Sequence, residues 1–189
     1  MNKAFSILDA IVLTLGFEPG PLIRAVASYD LSSNALSYAL MPNFKDERGE
    51  RAFLDFKKVC DMMFEGLAVK IERIEVDLSS FASAVRQLRN LFQELRDKRV
   101  LICLSGGMRV LGLAAYTAYL LTDWIIDPIL ELQLEGRAER LTIPLAHKVL
   151  KPLIPDERIQ ILNFIAEHGA TTVADMVSHL KKDRSTIYR

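Results

Sequence analysis

Two short runs of uninterrupted apolar residues, 10–14 and 100–104, each stop at a glycine-bearing loop and pass directly into a helical pattern. Ala10, Ile11, Val12, Leu13 and Thr14 show no polar alternation, nor do Val100, Leu101, Ile102, Cys103 and Leu104. Such runs suit strands covered on both faces, the usual state of a parallel sheet. Parallel neighbours cannot be joined by a tight turn, so each needs a crossover, which is usually a helix. That requirement fixes the reading of everything between them.

Pro21 suits the first turn of a helix reaching about Tyr29. Residues 36–41 read as a second strand, closed by Pro42 and Asn43. Over 48–64, Phe53, Phe56, Val59, Cys60 and Met63 recur at three and four, which predicts a helix with one buried face. Residues 69–76 alternate and read as a half-exposed strand. Asp77 or Ser79 is placed to cap a helix to about Asp97, with Phe81, Val85, Leu88, Leu91, Phe92 and Leu95 inward. A strongly apolar helix covers 109–121, and residues 129–134 and 140–144, joined at Glu135 and Gly136, read as a closing hairpin. The expected fold class is α/β: a Rossmann-like, mostly parallel sheet with helices on both faces and a C-terminal β-hairpin. Beyond a linker at 145–155, marked by Pro152 and Pro155, only short helices are predicted. The domains are therefore 1–144 and 156–189.

Composition narrows the partners. Of 189 residues half are hydrophobic, enough for one full domain and a small second one. Acids and bases balance at 24 each, so contact with nucleic acid has to come from a local patch. The most apolar stretch, 110–121, falls short of the ~20 residues that span a bilayer. With no signal-peptide pattern, the chain reads as cytoplasmic with no membrane partner. Cys60 and Cys103 are far apart and suit buried thiols rather than a disulfide. His147, His168 and His179 lack ligand spacing, so no metal and no cofactor is expected.

Ligands of open parallel sheets sit outside the carboxyl ends of the strands, where strand order reverses. Gly16, Phe17, Glu18, Pro19 and Gly20 follow the first strand; Ser105, Gly106, Gly107, Met108 and Arg109 follow the fourth. Backbone amides at such strand-to-helix junctions favour anions, and glycine lets a phosphate or ribose approach closely. Arg109 offers a charged fork and Ser105 a hydroxyl. In most proteins a Gly-Gly after a strand is simply a tight turn. The pattern G-x-G-x-x-G is absent, as are the P-loop and the G-x-S-x-G elbow. Paired carboxylates and a neighbouring His are missing too. The loops therefore point to binding, with no catalytic residue assigned.

In the C-terminal segment, Ile159, Leu162, Phe164 and Ile165 give one helix an apolar face. A second helix, 172–180, is capped by Thr171 or Thr172. After a turn at Lys181, Lys182 and Asp183 a third helix opens at Arg184. This is a helix-turn-helix pattern, with Lys181, Lys182, Arg184, Ser185, Thr186, Tyr188 and Arg189 placed for phosphates and base edges. The bland alternative is a solvated basic face. Because the chain stops inside the recognition helix, the unit reads as truncated.

At these residues the chain resembles the CRISPR-associated Rossmann-fold (CARF) transcription regulators, which carry a C-terminal winged helix-turn-helix. The resemblance covers nearly the whole chain and rests on Thr14, Leu15, Gly16, Phe17 and Glu18, on Ser105 to Arg109, and on the C-terminal helices. It implies a homodimer that binds a cyclic oligoadenylate, cyclic tetraadenylate first among them, across its two-fold axis. It further implies that double-stranded promoter DNA is the partner of the helix-turn-helix. It carries over Thr14, Gly16, Phe17, Glu18, Ser105, Gly106, Gly107, Met108 and Arg109 as ligand-site residues. Glu18 is awkward beside phosphate and is expected to accept from ribose or adenine, or to pair with Arg24. The alternative reading is a ring nuclease slowly cleaving its own cyclic oligoadenylate through the ligand's 2′-hydroxyl. A nicotinamide-linked redox sensor is disfavoured by the missing glycine fingerprint.

Overall fold

The computed structural model describes residues 7–44, 46–65, 70–133, 139–143, 160–161, 164–165 and 172–180. The chain divides into two compact units, Met1–Leu145 and Ala146–Arg189.

In the first unit, strands and helices alternate: β1 (Leu8–Thr14), α1 (Gly20–Val26), β2 (Leu31–Pro42), α2 (Glu47–Met63), β3 (Lys70–Val76), α3 (Phe81–Glu94), β4 (Val100–Cys103), α4 (Arg109–Leu121), β5 (Ile129–Gln133) and β6 (Arg140–Ile143). One six-stranded sheet runs β3-β2-β1-β4-β5-β6. The first five strands pair in parallel and β6 closes the sheet antiparallel to β5. The order reverses between β1 and β4, as in doubly wound folds.

Alternation along the central strands sorts two cores. Ala10 and Val12 of β1 with Val100 and Ile102 of β4 face α3 and α4, meeting Leu88, Phe92, Leu111 and Tyr119. Ile11, Leu13, Leu101 and Cys103 face the opposite way, against Leu22, Phe56 and Cys60 of α1 and α2. Each fully buried Leu or Phe contributes about 1.5–3 kcal/mol. In α4, Ala114, Ala115 and Ala118 are completely buried, small enough to let the helix lie close on the sheet.

Several local expectations shift. The second strand begins five residues earlier than its apolar pattern, since Ser32, Ser33 and Asn34 join the edge-like start of β2. Ser80 caps α3, accepting the Ser83 amide at 3.4 Å. Asp77 instead accepts the Ser79 amide at 2.9 Å, making the turn just before the helix. Phe81 opens α3 and is exposed; Ala84 takes the inward place. Met63 likewise ends α2 exposed rather than inward. Helix α4 has the bounds its apolar pattern predicts.

In the second unit, α5 (Val173–Leu180) starts with a reciprocal capping box. The Asp175 amide donates to Thr172 Oγ1 at 3.2 Å, and the Thr172 amide donates to Asp175 Oδ2 at 3.1 Å. The Thr172 hydrogen bonds hold the Asp175 carboxyl below its ordinary range. Phe164 and the His179 ring meet with centroids 5.1 Å apart. The linker at 145–155, the hairpin turn at Glu135 and Gly136, and the DNA-contact residues Lys181, Lys182, Arg184, Ser185, Thr186, Tyr188 and Arg189 lie outside the described residues. Among the described residues, no helix is long and apolar enough to cross a membrane.

Candidate functional site

A cleft of about 880 Å³ opens at the carboxyl ends of the central strands. Gly16, Phe17 and Glu18 enter it from the loop after β1, and Ser105, Gly106, Gly107 and Met108 from the loop after β4. The end of β2 and the start of α2 supply a third wall through Met41, Pro42, Phe44, Asp46, Gly49 and Glu50. Arg24 of α1 and Gln133 of β5 complete it.

The glycines answer first to each other. A Cβ on Gly16 would lie 2.5 Å from the Gly107 amide nitrogen, and one on Gly106 would lie 2.5 Å from the Thr14 carbonyl oxygen. Real side chains do not tolerate such distances, so the two loops can touch only because both lack side chains there. Gly107 also has φ +81°, a left-handed conformation that suits glycine.

The loop after β4 is braced from β5. Ser105 Oγ accepts the Gln133 amide at 2.8 Å and lies 3.0 Å from Cys103 Sγ. The Leu104 amide donates to the Glu131 carbonyl at 3.0 Å. Beneath it the Glu131 carboxylate, 1% exposed, accepts the Tyr29 hydroxyl and pairs with Arg140 at 3.2 Å. Burial, then the Glu131 hydrogen bond, push the Tyr29 phenol far above its ordinary value. Burial likewise raises the Cys103 thiol. Both groups stay protonated at neutral pH, so the charge in this brace resides in the ion pair.

Helix starts around the cleft differ. Helix α2 is capped by Asp46, whose Oδ1 accepts the Arg48 amide at 2.8 Å and the Gly49 amide at 3.4 Å. Helix α4 begins at Met108 with no side-chain cap. Its first amides, left without helical partners, therefore stay available to an acceptor in the cleft.

Of the residues singled out by sequence, Gly16, Phe17, Glu18, Ser105, Gly106, Gly107 and Met108 line the cleft together. Thr14 does not: it is fully buried at the end of β1, and its hydroxyl donates to the Cys103 carbonyl at 3.4 Å, tying β1 to β4. Arg109 is exposed and outside the cleft lining, because it shares the outer face of α4 with exposed Leu113 one turn on. Glu18 and Arg24 share the cleft without forming an ion pair among the described residues.

Sequence reasoning missed the wall from β2 and α2. The rule that ligands sit beyond strand ends applied equally to Met41, Pro42 and Phe44. Asp46, followed by Glu47 and Glu50 in the first turn, was a readable helix start. Arg48, whose guanidinium lies 4.1 Å above the Phe17 ring, had no such signal, since 31 positions separate the two.

Residues 9–144 match the family described as the Csa3 CRISPR-associated Rossmann-like domain. No curated protein matches the chain. Among solved structures, Can2 from Sulfobacillus thermosulfidooxidans, in complex with cyclic tetra-adenylate, shares the fold with TM-score 0.53 and 15% identity. The match covers 71% of this chain and 34% of Can2. Csm6 from Enterococcus italicus, bound to cyclic hexa-2′-fluoro-hexa-dAMP, gives TM-score 0.56 at 10% identity, covering 90% of this chain and 50% of Csm6. This chain thus spans about a third and a half of the lengths of those two proteins.

Proposed function

The chain belongs to the Csa3 CRISPR-associated Rossmann-like family, and on that premise we propose that its first unit senses a cyclic oligoadenylate, cyclic tetraadenylate first among them. The observation that carries this reading is the cleft itself: it lies at the reversal of strand order and meets the uncapped start of α4. Backbone amides there, the Ser105 hydroxyl and the helix dipole suit a phosphodiester. A volume near 880 Å³ is at the upper end of small-molecule sites and exceeds what one nucleotide fills. In a two-fold homodimer, two copies of this cleft would meet a ring of matching symmetry.

The site reads as a sensor rather than an enzyme. No His or Lys lines the cleft among the described residues. Two of its three carboxylates are committed, Asp46 to the α2 cap and Glu50 to Arg73 at 2.6 Å. With no imidazole or amine in the lining and Glu18 the carboxylate outside these contacts, the cleft is poorly equipped for fast proton transfer. The regulatory output we assign to the second unit, as a helix-turn-helix reading promoter DNA. The basic residues from Lys181 to Arg189 carry that assignment by sequence.

Thermal unfolding with and without cyclic tetraadenylate tests the ligand. At 100 times the dissociation constant the ring should add about 2.7 kcal/mol of stability. Linear tetraadenylate and NADH serve as controls. Unchanged melting with saturating ring would remove the ligand from the proposal. Ring recovered intact after hours is expected, and its cleavage would turn the sensor into an enzyme. Promoter fragments titrated in rising salt test the DNA half, because phosphate contacts weaken with salt.

A further inference from the structure

The cleft is chemically two-ended, and only one end suits phosphate. At the α4 end are backbone amides, Gly106, Gly107 and the Ser105 hydroxyl. At the α2 end stand the carboxylates Asp46 and Glu50 with apolar Phe44, Met41 and Pro42, and Phe17 reaches this end under the Arg48 guanidinium. Arg48 and Arg73 are already paired with Asp46 and Glu50, and carboxylate oxygens, which only accept, offer a phosphodiester no donor. An aromatic and aliphatic wall with carboxylate acceptors instead matches a nucleobase, which offers a π-face and amine hydrogens.

Phe17 is the distinctive element. It is 53% exposed although apolar, and it lines the cleft. The Arg48 guanidinium covers it at 4.1 Å, and Arg48 Nε in turn lies 3.8 Å from Asp46 Oδ1. Cation–π contact and ion pair together hold an otherwise solvated ring in place. Asp46 uses Oδ1 for both amides of the α2 cap and for Arg48. Its Oδ2 has no partner among the described residues. Resting on the oligoadenylate reading above, we propose that the α2 wall is a nucleobase subsite. Phe17, backed by Arg48, is the stacking platform, and Asp46 Oδ2 accepts the exocyclic amine of adenine.

This makes amine recognition a property of α2, while the loop after β4 handles the backbone of the ring. A hypoxanthine base, which carries an oxygen in place of the adenine amine, sets two acceptors against each other at Asp46.

Dissociation constants of the full chain for cyclic tetraadenylate and cyclic tetrainosinate, in wild type, Phe17→Leu, Phe17→Tyr and Asp46→Asn, test the assignment. Phe17→Leu should weaken both rings by about tenfold, the size of a lost base–aromatic stack, and Phe17→Tyr should keep affinity. Wild type should prefer the adenine ring by about tenfold, and Asp46→Asn, which keeps a capping oxygen, should abolish that preference. Melting of each ligand-free variant at the wild-type temperature shows that the fold is intact. Wild-type binding with Phe17→Leu unimpaired overturns the subsite while leaving the oligoadenylate reading standing. No binding of either ring by wild type overturns both.

Discussion

After β1 the chain enters α1 through Pro19, Gly20 and Pro21; after β4 it enters α4 through Gly106, Gly107 and Met108. The first junction has few donors to give. Two of its residues lack an amide hydrogen, and the amides of Leu22 and Ile23 both bond to the Pro19 carbonyl, at 3.0 Å each. The second junction lacks both proline and cap, so its donors remain. It is also braced from beneath by Ser105, Gln133, Glu131, Tyr29 and Arg140, which the first is not. One junction thus lines the cleft with the side chains of Phe17 and Glu18, and the other adds uncapped backbone amides beside Ser105 and Met108. A glycine loop after a strand says that backbone must come close. Here the glycines bring the two loops to one another, and the ligand-facing chemistry is decided by their neighbours.

The sharpest way to break this asymmetry is beneath the second junction. Arg140→Met leaves the buried Glu131 carboxylate without its cation and should cost about 3 kcal/mol in chemical denaturation. Adding Glu131→Gln should recover most of the loss, since the neutral amide still accepts from Tyr29. Little loss in the single variant would show that the brace does not hold the loop. Next comes the contact between the loops. Gly106→Ala should cost about 1–3 kcal/mol and weaken ring binding, because the new Cβ meets the Thr14 carbonyl at 2.5 Å. Gly20→Ala, at the start of α1, faces only the flexible end of Arg24 at 3.4 Å and should melt near the wild-type temperature. Equal effects would erase the distinction between the junctions.

At Gly112, inside α4, an added methyl group would meet nothing within 4 Å, so Gly112→Ala should gain about 0.5–1 kcal/mol through helix propensity alone. A loss there would mean that α4 is less free on that side than its surroundings indicate. The smallest effect is alkaline. Burial pushes the Cys60 thiol up to about 12 and raises Cys103 as well, so the native state keeps protons the unfolded chain releases. Stability is fully present below the unfolded thiol value of about 8.5 and should decline as pH rises past it. Alanine at Cys103 should flatten part of that decline in denaturation followed from pH 8 to 10.

Much of this was readable in one dimension. The apolar runs of β1 and β4, the bounds of α4 and the closing hairpin follow from periodicity, because burial on two faces, one face or all faces leaves distinct spacings. Seven of the nine residues expected at a ligand site line the cleft for a similar reason: strand ends are where a parallel sheet exposes its loops. What escaped depends on side chains meeting across the fold. Nothing near Thr14 announces that its hydroxyl turns to Cys103, 89 positions away. Nor does the charge of Arg109 reveal which face of α4 it joins. Phe17 and Arg48 belong to different βα units, and only the parallel pairing of β1 with β2 brings them together.

The interlock of Gly16 with Gly107 and of Gly106 with Thr14 also limits how such a chain can change over generations. Any side chain gained at Gly16 or Gly106 strikes the backbone of the opposite loop, so no one-step replacement at either position is neutral, whatever the ligand. Drift is channelled instead to Phe17, Glu18 and Met108, whose side chains face the cleft and can vary while the backbone cradle stays put. A lineage adapting this cleft to a different ligand would therefore be expected to rewrite the walls and inherit the glycine contacts unchanged.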